Sequence, residues 1–179
     1  MHSAGSPYLA ADDRLADVIA AIQVMGTYKF YKLDFETWAD RICGDKSEAD
    51  HWRKVFEQHP EFFRLDSGRK RASLVWRRQR IKHYDVDKGA PITKEAYLAL
   101  SDLQKKRISR MPLNSDELEM LITTAINLHA RALEHRQDNR WWKNAAIGFV
   151  GALAGGVIAA LIPIVMKLGE SPPPTMPLP

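Results

Sequence analysis

Cations crowd into one stretch near the middle of this chain. Arg64, Arg69, Lys70, Arg71, Arg77, Arg78, Arg80 and Lys82 stand against Asp66 as the one acid between them. Such a patch suits phosphate, either of nucleic acid or of anionic lipid headgroups. Catalysis would need convergent polar groups, and none assembles locally. His129 and His135 lie six apart, so on one helix they point about 240° away from each other and cannot share a metal unaided. No phosphate-cradling Gly-rich loop precedes a Lys, and no Gly-x-Ser-x-Gly elbow occurs. Cys43 is the only cysteine, which excludes an intrachain disulfide and a cysteine-based zinc site within one chain. The expectation is a non-enzymatic protein with no metal and no cofactor.

The elements that must position the basic patch can be read from periodicity. Leu15, Val18, Ile19, Ile22 and Met25 share one face of a helix from about Ala11 to Met25, which Gly26 and Thr27 break. Asp34 is a suitable N-cap for a second helix holding Phe35, Trp38, Ala39 and Ile42, and Gly44 supplies its stop. Ser47 can cap a third helix with Asp50 as an approximate capping box, and Ala49, Trp52, Val55 and Phe56 form its apolar face. His59 and Pro60 end it. Phe62 to Leu65 and Ala72 to Gln79 then read as two strands around the basic turn at Gly68.

Three short helices followed by a β-hairpin is an order that resembles the winged-helix domain, here over Leu15 to Gln79, with Ser67 to Arg71 at the wing tip. The resemblance is one of architecture and rests on no diagnostic string. It implies that the third helix enters the major groove of DNA while the wing reaches phosphate. On that reading His51, Arg53, Lys54 and Gln58 face the nucleic acid from the helix, and Arg69, Lys70 and Arg71 from the wing. Arg and Gln can bond base edges, and Lys supplies phosphate contact. The same polar residues would equally solubilise a helix that buries Trp52, Val55 and Phe56, and Glu48 and Asp50 would repel phosphate. A protein-docking or lipid-facing surface is therefore the competing expectation.

Beyond this domain, placed at residues 11–84 after a disordered lead of residues 1–10, the periodic signal weakens. Residues 85–114 read as a linker with a loop at Gly89 and Pro91, a short helix after Thr93, and another capped by Ser101 with Gln104. A helical stalk follows over residues 115–144. Leu118, Ala125, Ala132 and Asn139 recur at one heptad position, and Leu121, Leu128, His135 and Trp142 at another. The seam is thin, so a coiled coil and packing against the winged-helix domain are both open.

The run from Ala145 to Met166 contains no charged residue, and as a helix at about 1.5 Å per residue it is long enough to cross a hydrocarbon core of about 30 Å. Arg140, Trp141, Trp142 and Lys143 before it and Lys167 after it resemble interfacial anchors. The positive-inside rule puts the N-terminal body in the cytoplasm, with a Pro-rich tail over residues 167–179 on the other side. Met1 to Ala11 lacks the pattern of a signal peptide. Gly148, Ala152 and Gly156 recur every fourth residue, with Gly151 and Gly155 on the adjacent row, a spacing that lets two such helices approach as a homodimer. The reading is a mainly α protein with a winged-helix-like domain, a stalk and one C-terminal transmembrane helix, in a bacterial inner membrane. Its first candidate partner is DNA, in a regulatory role. The alternatives are an adaptor that recruits a cytoplasmic protein and a small membrane effector acting through association of its span.

Overall fold

The computed structural model describes residues 6–137. The expected interface residues Arg140, Trp141, Trp142, Lys143 and Lys167 lie outside them, as do the span 145–166 with Gly148, Gly151, Ala152, Gly155 and Gly156, and the tail. Among the described residues no helix is long and apolar enough to cross a membrane. The described residues are mainly helical with two small antiparallel sheets, a helix-plus-hairpin arrangement.

Helix α1 spans Arg14–Thr27 and buries Val18, Ala21, Ile22 and Met25 completely, the apolar stripe that its periodicity requires. A three-residue strand, β1 (Lys32–Asp34), leads directly into α2 (Phe35–Ile42). Asp34 caps α2 by accepting the Thr37 N–H at 2.9 Å, and Gly44 with φ +78° allows the chain to leave. Helix α3 spans Ala49–Gln58, but Ser47 does not cap it. The Asp45 carboxylate takes both the N–H and the hydroxyl of Ser47, at 2.8 and 2.7 Å, and winds residues Lys46–Glu48 into a 3-10 turn instead.

Strands β2 (Phe63–Leu65) and β3 (Arg71–Leu74) form the expected hairpin, and β1 adds to its far side to give the order β1-β3-β2. Trp38 of α2 donates its indole N–H to the Ala72 carbonyl at 3.0 Å, and Phe56 of α3 meets Phe63 at 5.0 Å, so helices and sheet share one core. The second strand is shorter than its alternation suggests. After Leu74 the chain coils into α4 (Val75–Gln79), because Arg77 is completely buried and its guanidinium collects the carbonyls of Met25, Tyr28 and Arg110. Burial pushes that guanidinium down to about 10, with Arg80 adding to the effect, which leaves it charged at neutral pH.

Residues 85–114 are more than a linker. Strands β4 (Tyr84–Asp85), β5 (Ala90–Pro91) and β6 (Ile108–Ser109) pair in the order β5-β4-β6. Helices α5 (Lys94–Leu98) and α6 (Asp102–Lys105) intervene, the latter with the Ser101–Gln104 capping box complete. Nor is the chain's start a disordered lead throughout. Pro7–Leu9 forms a 3-10 turn with Tyr8 buried, because the Tyr8 hydroxyl donates to Glu61 at 2.8 Å.

The last helix among the described residues, α7, begins at residue 115 and runs to residue 137, where they end, with Asn114 and Glu117 exchanging capping hydrogen bonds at 2.9 Å. Leu118, Leu121, Ala125, Leu128 and Ala132 pack into the core, so over this stretch the heptad seam is an internal contact and not a free stalk. The compact unit extends to Leu133.

Two stability measurements test this framework. Arg77→Met leaves three buried carbonyls without their donor and is expected to cost at least about 3 kcal/mol in urea unfolding; a loss below about 1 kcal/mol would show that the guanidinium is not what holds α4 in place. A Cβ on Gly26 would stand 2.4 Å from Leu118 Cδ2. Gly26→Ala is expected to cost about 1–3 kcal/mol by overpacking, and much less when added to Leu118→Ala. Strictly additive losses would show that α1 and α7 do not meet at this point.

Candidate nucleic-acid interface

The expected binding residues separate once side chains are placed. On α3, His51 does not face outward: its Nε2 meets Asp17 Oδ2 of α1 at 3.1 Å and its ring stands edge-on to Trp52 at 5.2 Å. Desolvation holds the Asp17 carboxyl above its ordinary range, the His51 ring pulling the other way. His51 is thus a bridge between two helices. Arg53 is exposed, lies over the Phe35 ring at 5.6 Å, and donates Nε to Glu57 Oε1 at 3.1 Å. Lys54 and Gln58 are exposed and make no side-chain hydrogen bond among the described residues.

The hairpin tip is ordered by the acid inside it. Asp66 accepts the Lys70 and Arg71 N–H groups on Oδ1, at 3.0 and 3.2 Å, and the Arg69 N–H on its carbonyl at 2.9 Å. These bonds, the Lys70 N–H foremost, hold the Asp66 carboxyl below the usual range. They also turn Arg69 into the left-handed region at φ +50°. Ser67, Gly68, Arg69, Lys70 and Arg71 are consequently all exposed. Arg69 Nη2 reaches back across to α3 and shares Glu57 Oε1 at 2.8 Å.

The strand register extends the surface by residues that the sequence did not single out as a group. Lys32 and Arg64 each pair with Ser73, so the three stand in one row across the sheet. Sequence reasoning missed Lys32 because β1 is too short to show alternation. In the C-terminal half of the basic run Arg78 is exposed on α4, whereas Arg77, Arg80 and Lys82 are engaged elsewhere. Arg77 is in the core, Arg80 donates to the Pro112 carbonyl at 2.7 Å and pairs with Glu117, and Lys82 donates to the Lys105 carbonyl at 3.4 Å. What remains on the hairpin and α3 is Lys54, Arg64, Arg69, Lys70 and Arg71, with Arg53 beside them.

Two other features lie apart. Tyr8 and His59 both reach Glu61 Oε1, at 2.8 and 3.0 Å, and the fully buried His59 ring sits 4.5 Å from that of Tyr8. Burial and the Glu61 carboxylate raise the Tyr8 hydroxyl above its ordinary value, so it remains protonated as the donor. The His129 ring stands edge-on to Tyr8, centroids 6.1 Å apart, while His135 is exposed, and among the described residues no group of His, Cys, Asp or Glu could hold a metal. An open apolar concavity of about 350 Å³ is lined by Gln79, Arg80, Ile81, His83, Tyr84, Pro91 and Met111. Ile81 is 72 % exposed there.

A scan of protein-family models gives no match to this chain, and comparison with curated proteins and with solved structures gives none either.

The left-handed tip offers a direct check. Arg69→Gly and Arg69→Ala both lose the Glu57 pair, but only Ala keeps the disfavoured φ, so the Gly variant is expected to be more stable by about 1 kcal/mol in thermal unfolding. Equal stability would show that the tip stores no such strain.

Proposed function

We propose that this chain is a membrane-anchored, non-enzymatic winged-helix protein that binds DNA in a regulatory role, through α3 and the β2–β3 hairpin. The observation that carries the reading is the order α1-β1-α2-α3-β2-β3 with β1 completing the sheet on the far side of β3. The β1 strand between the first two helices is a feature that three helices and a hairpin alone do not require. A groove-entering helix beside a phosphate-reaching loop is how such domains meet duplex DNA. Lys54 and Gln58 on the helix and Arg64, Lys70 and Arg71 on the hairpin supply the donors, exposed and close in the fold. The anchor rests on the charge-free run from Ala145 to Met166 with its Trp and Lys flanks.

A second reading, an adaptor that recruits a cytoplasmic protein, is favoured by one observation. The concavity beside Ile81 and Met111 exposes apolar surface away from the basic hairpin, where a protein side chain would fit better than a phosphate.

Binding of the full chain in mild detergent to mixed-sequence duplex DNA over a salt series tests the proposal. The expected result is a steep log-linear fall with salt. Changing Arg69, Lys70 and Arg71 to Ala should weaken binding more than tenfold and make the slope shallower by about two to three units, at roughly 0.9 for each phosphate no longer neutralised. No binding at the lowest salt, or binding indifferent to the triple change, would overturn the DNA reading and favour the adaptor.

A further inference from the structure

We propose that Arg53 and Arg69 form a seat for one phosphate of a nucleic-acid backbone, and that the Glu57 carboxylate occupies this seat in the free protein as an internal competitor. The inference rests on the nucleic-acid reading of this face and names how that face is held before its partner arrives.

Two guanidinium groups from separate elements, α3 and the hairpin tip, converge on a single oxygen: Arg53 Nε at 3.1 Å and Arg69 Nη2 at 2.8 Å from Glu57 Oε1. Convergence of charged N–H donors on one anionic oxygen is the arrangement a phosphate oxygen accepts. Neither arginine depends on Glu57 alone for its place. The Arg53 guanidinium lies over the Phe35 ring, and Arg69 is aimed by its left-handed backbone and by the Asp66 turn beneath it. Removing the carboxylate therefore leaves the donors assembled.

Glu57 is itself exposed enough to leave. Its side chain is 30 % accessible and those of Arg53 and Arg69 are 45 % and 63 %. Ion pairs this open to water are weak and screened by salt, so a phosphate can displace one. The Arg53 hydrogen bond, with that of Arg69 adding to it, holds the Glu57 carboxyl below its ordinary range, so it stays ionised at neutral pH and competes as an anion. It also subtracts one charge from the surface that meets DNA. His51 and Asp17 form the other carboxylate contact on α3, and it faces α1.

The test is Glu57→Gln in the full chain in mild detergent, titrated with mixed-sequence duplex DNA over a salt series beside the unchanged protein. Gln keeps the size of the side chain and loses the charge. The variant is expected to bind about tenfold tighter at about 50 mM salt with a slope steeper by up to about one unit, since seating the phosphate no longer releases a carboxylate that takes up a cation. Added to Arg53→Ala with Arg69→Ala, the same change should alter binding by less than about twofold. If the unchanged chain binds DNA and Glu57→Gln binds it equally or less tightly, the seat is overturned while the DNA reading stands. A tenfold gain that persists without the two arginines would show a general field effect and overturn the seat as well. No binding by either chain overturns the DNA reading and the seat together.

Discussion

The fold depends on one buried cation. The Arg77 guanidinium gathers carbonyl oxygens from the end of α1, from Tyr28 just beyond it, and from Arg110 after the second sheet. These are segments remote in sequence, and a helix end exposes carbonyls that no backbone N–H will satisfy. A fully buried charge is costly unless its donors are used, which explains why this side chain is both completely enclosed and supplied with three acceptors. It fixes where β3 must stop, because the turn of α4 is what brings residue 77 inward. It also ties the three-helix core to the second sheet.

The same stretch of sequence thus divides into cations that build the protein and cations left for something else. Arg77, Arg80 and Lys82 are spent on main-chain carbonyls and on Glu117. Arg78 is exposed on α4, and Arg64, Arg69, Lys70 and Arg71 are held on a hairpin whose own acid, Asp66, is turned inward to accept backbone N–H groups. A hairpin tip that uses a carboxylate to organise three basic residues in a row, and accepts a left-handed arginine to do so, is shaped more specifically than solubility demands.

Much of this was legible in the sequence, and the parts that were not share a cause. The three helices announced themselves through apolar spacing, and Asp34, Gly44 and the Ser101–Gln104 box marked ends that depend only on near neighbours. The β1 strand is too short to alternate. Helix α4 turns on Arg77 within it, which read as one more cation of the basic patch and whose partners lie at residues 25, 28 and 110. Tyr8 is held by Glu61, and His51 was assigned to an outer face because Asp17 lies on another helix. The heptad pattern of α7 left a coiled coil and packing against the domain both open; from Leu118 to Ala132 its residues pack into the core, with Gly26 leaving room for Leu118, whereas His135 is exposed and Asn139 and Trp142 lie outside the described residues. Local rules read elements, whereas the allotment of charges is decided by tertiary contacts.

That allotment has a physical consequence for how the surface behaves. Salt acts strongly on charges that stand in water and weakly on charges that are enclosed. The enclosed set around Arg77 maintains the core under conditions in which the exposed set on the hairpin and α3 is screened. Ionic strength can then change the potential at the hairpin without loosening the element that presents it. A protein that held its core with exposed cations would instead loosen as salt rose. Burial thus divides the run from Arg64 to Lys82 into enclosed cations that hold the core and exposed ones, Arg78 among them, that salt screens first.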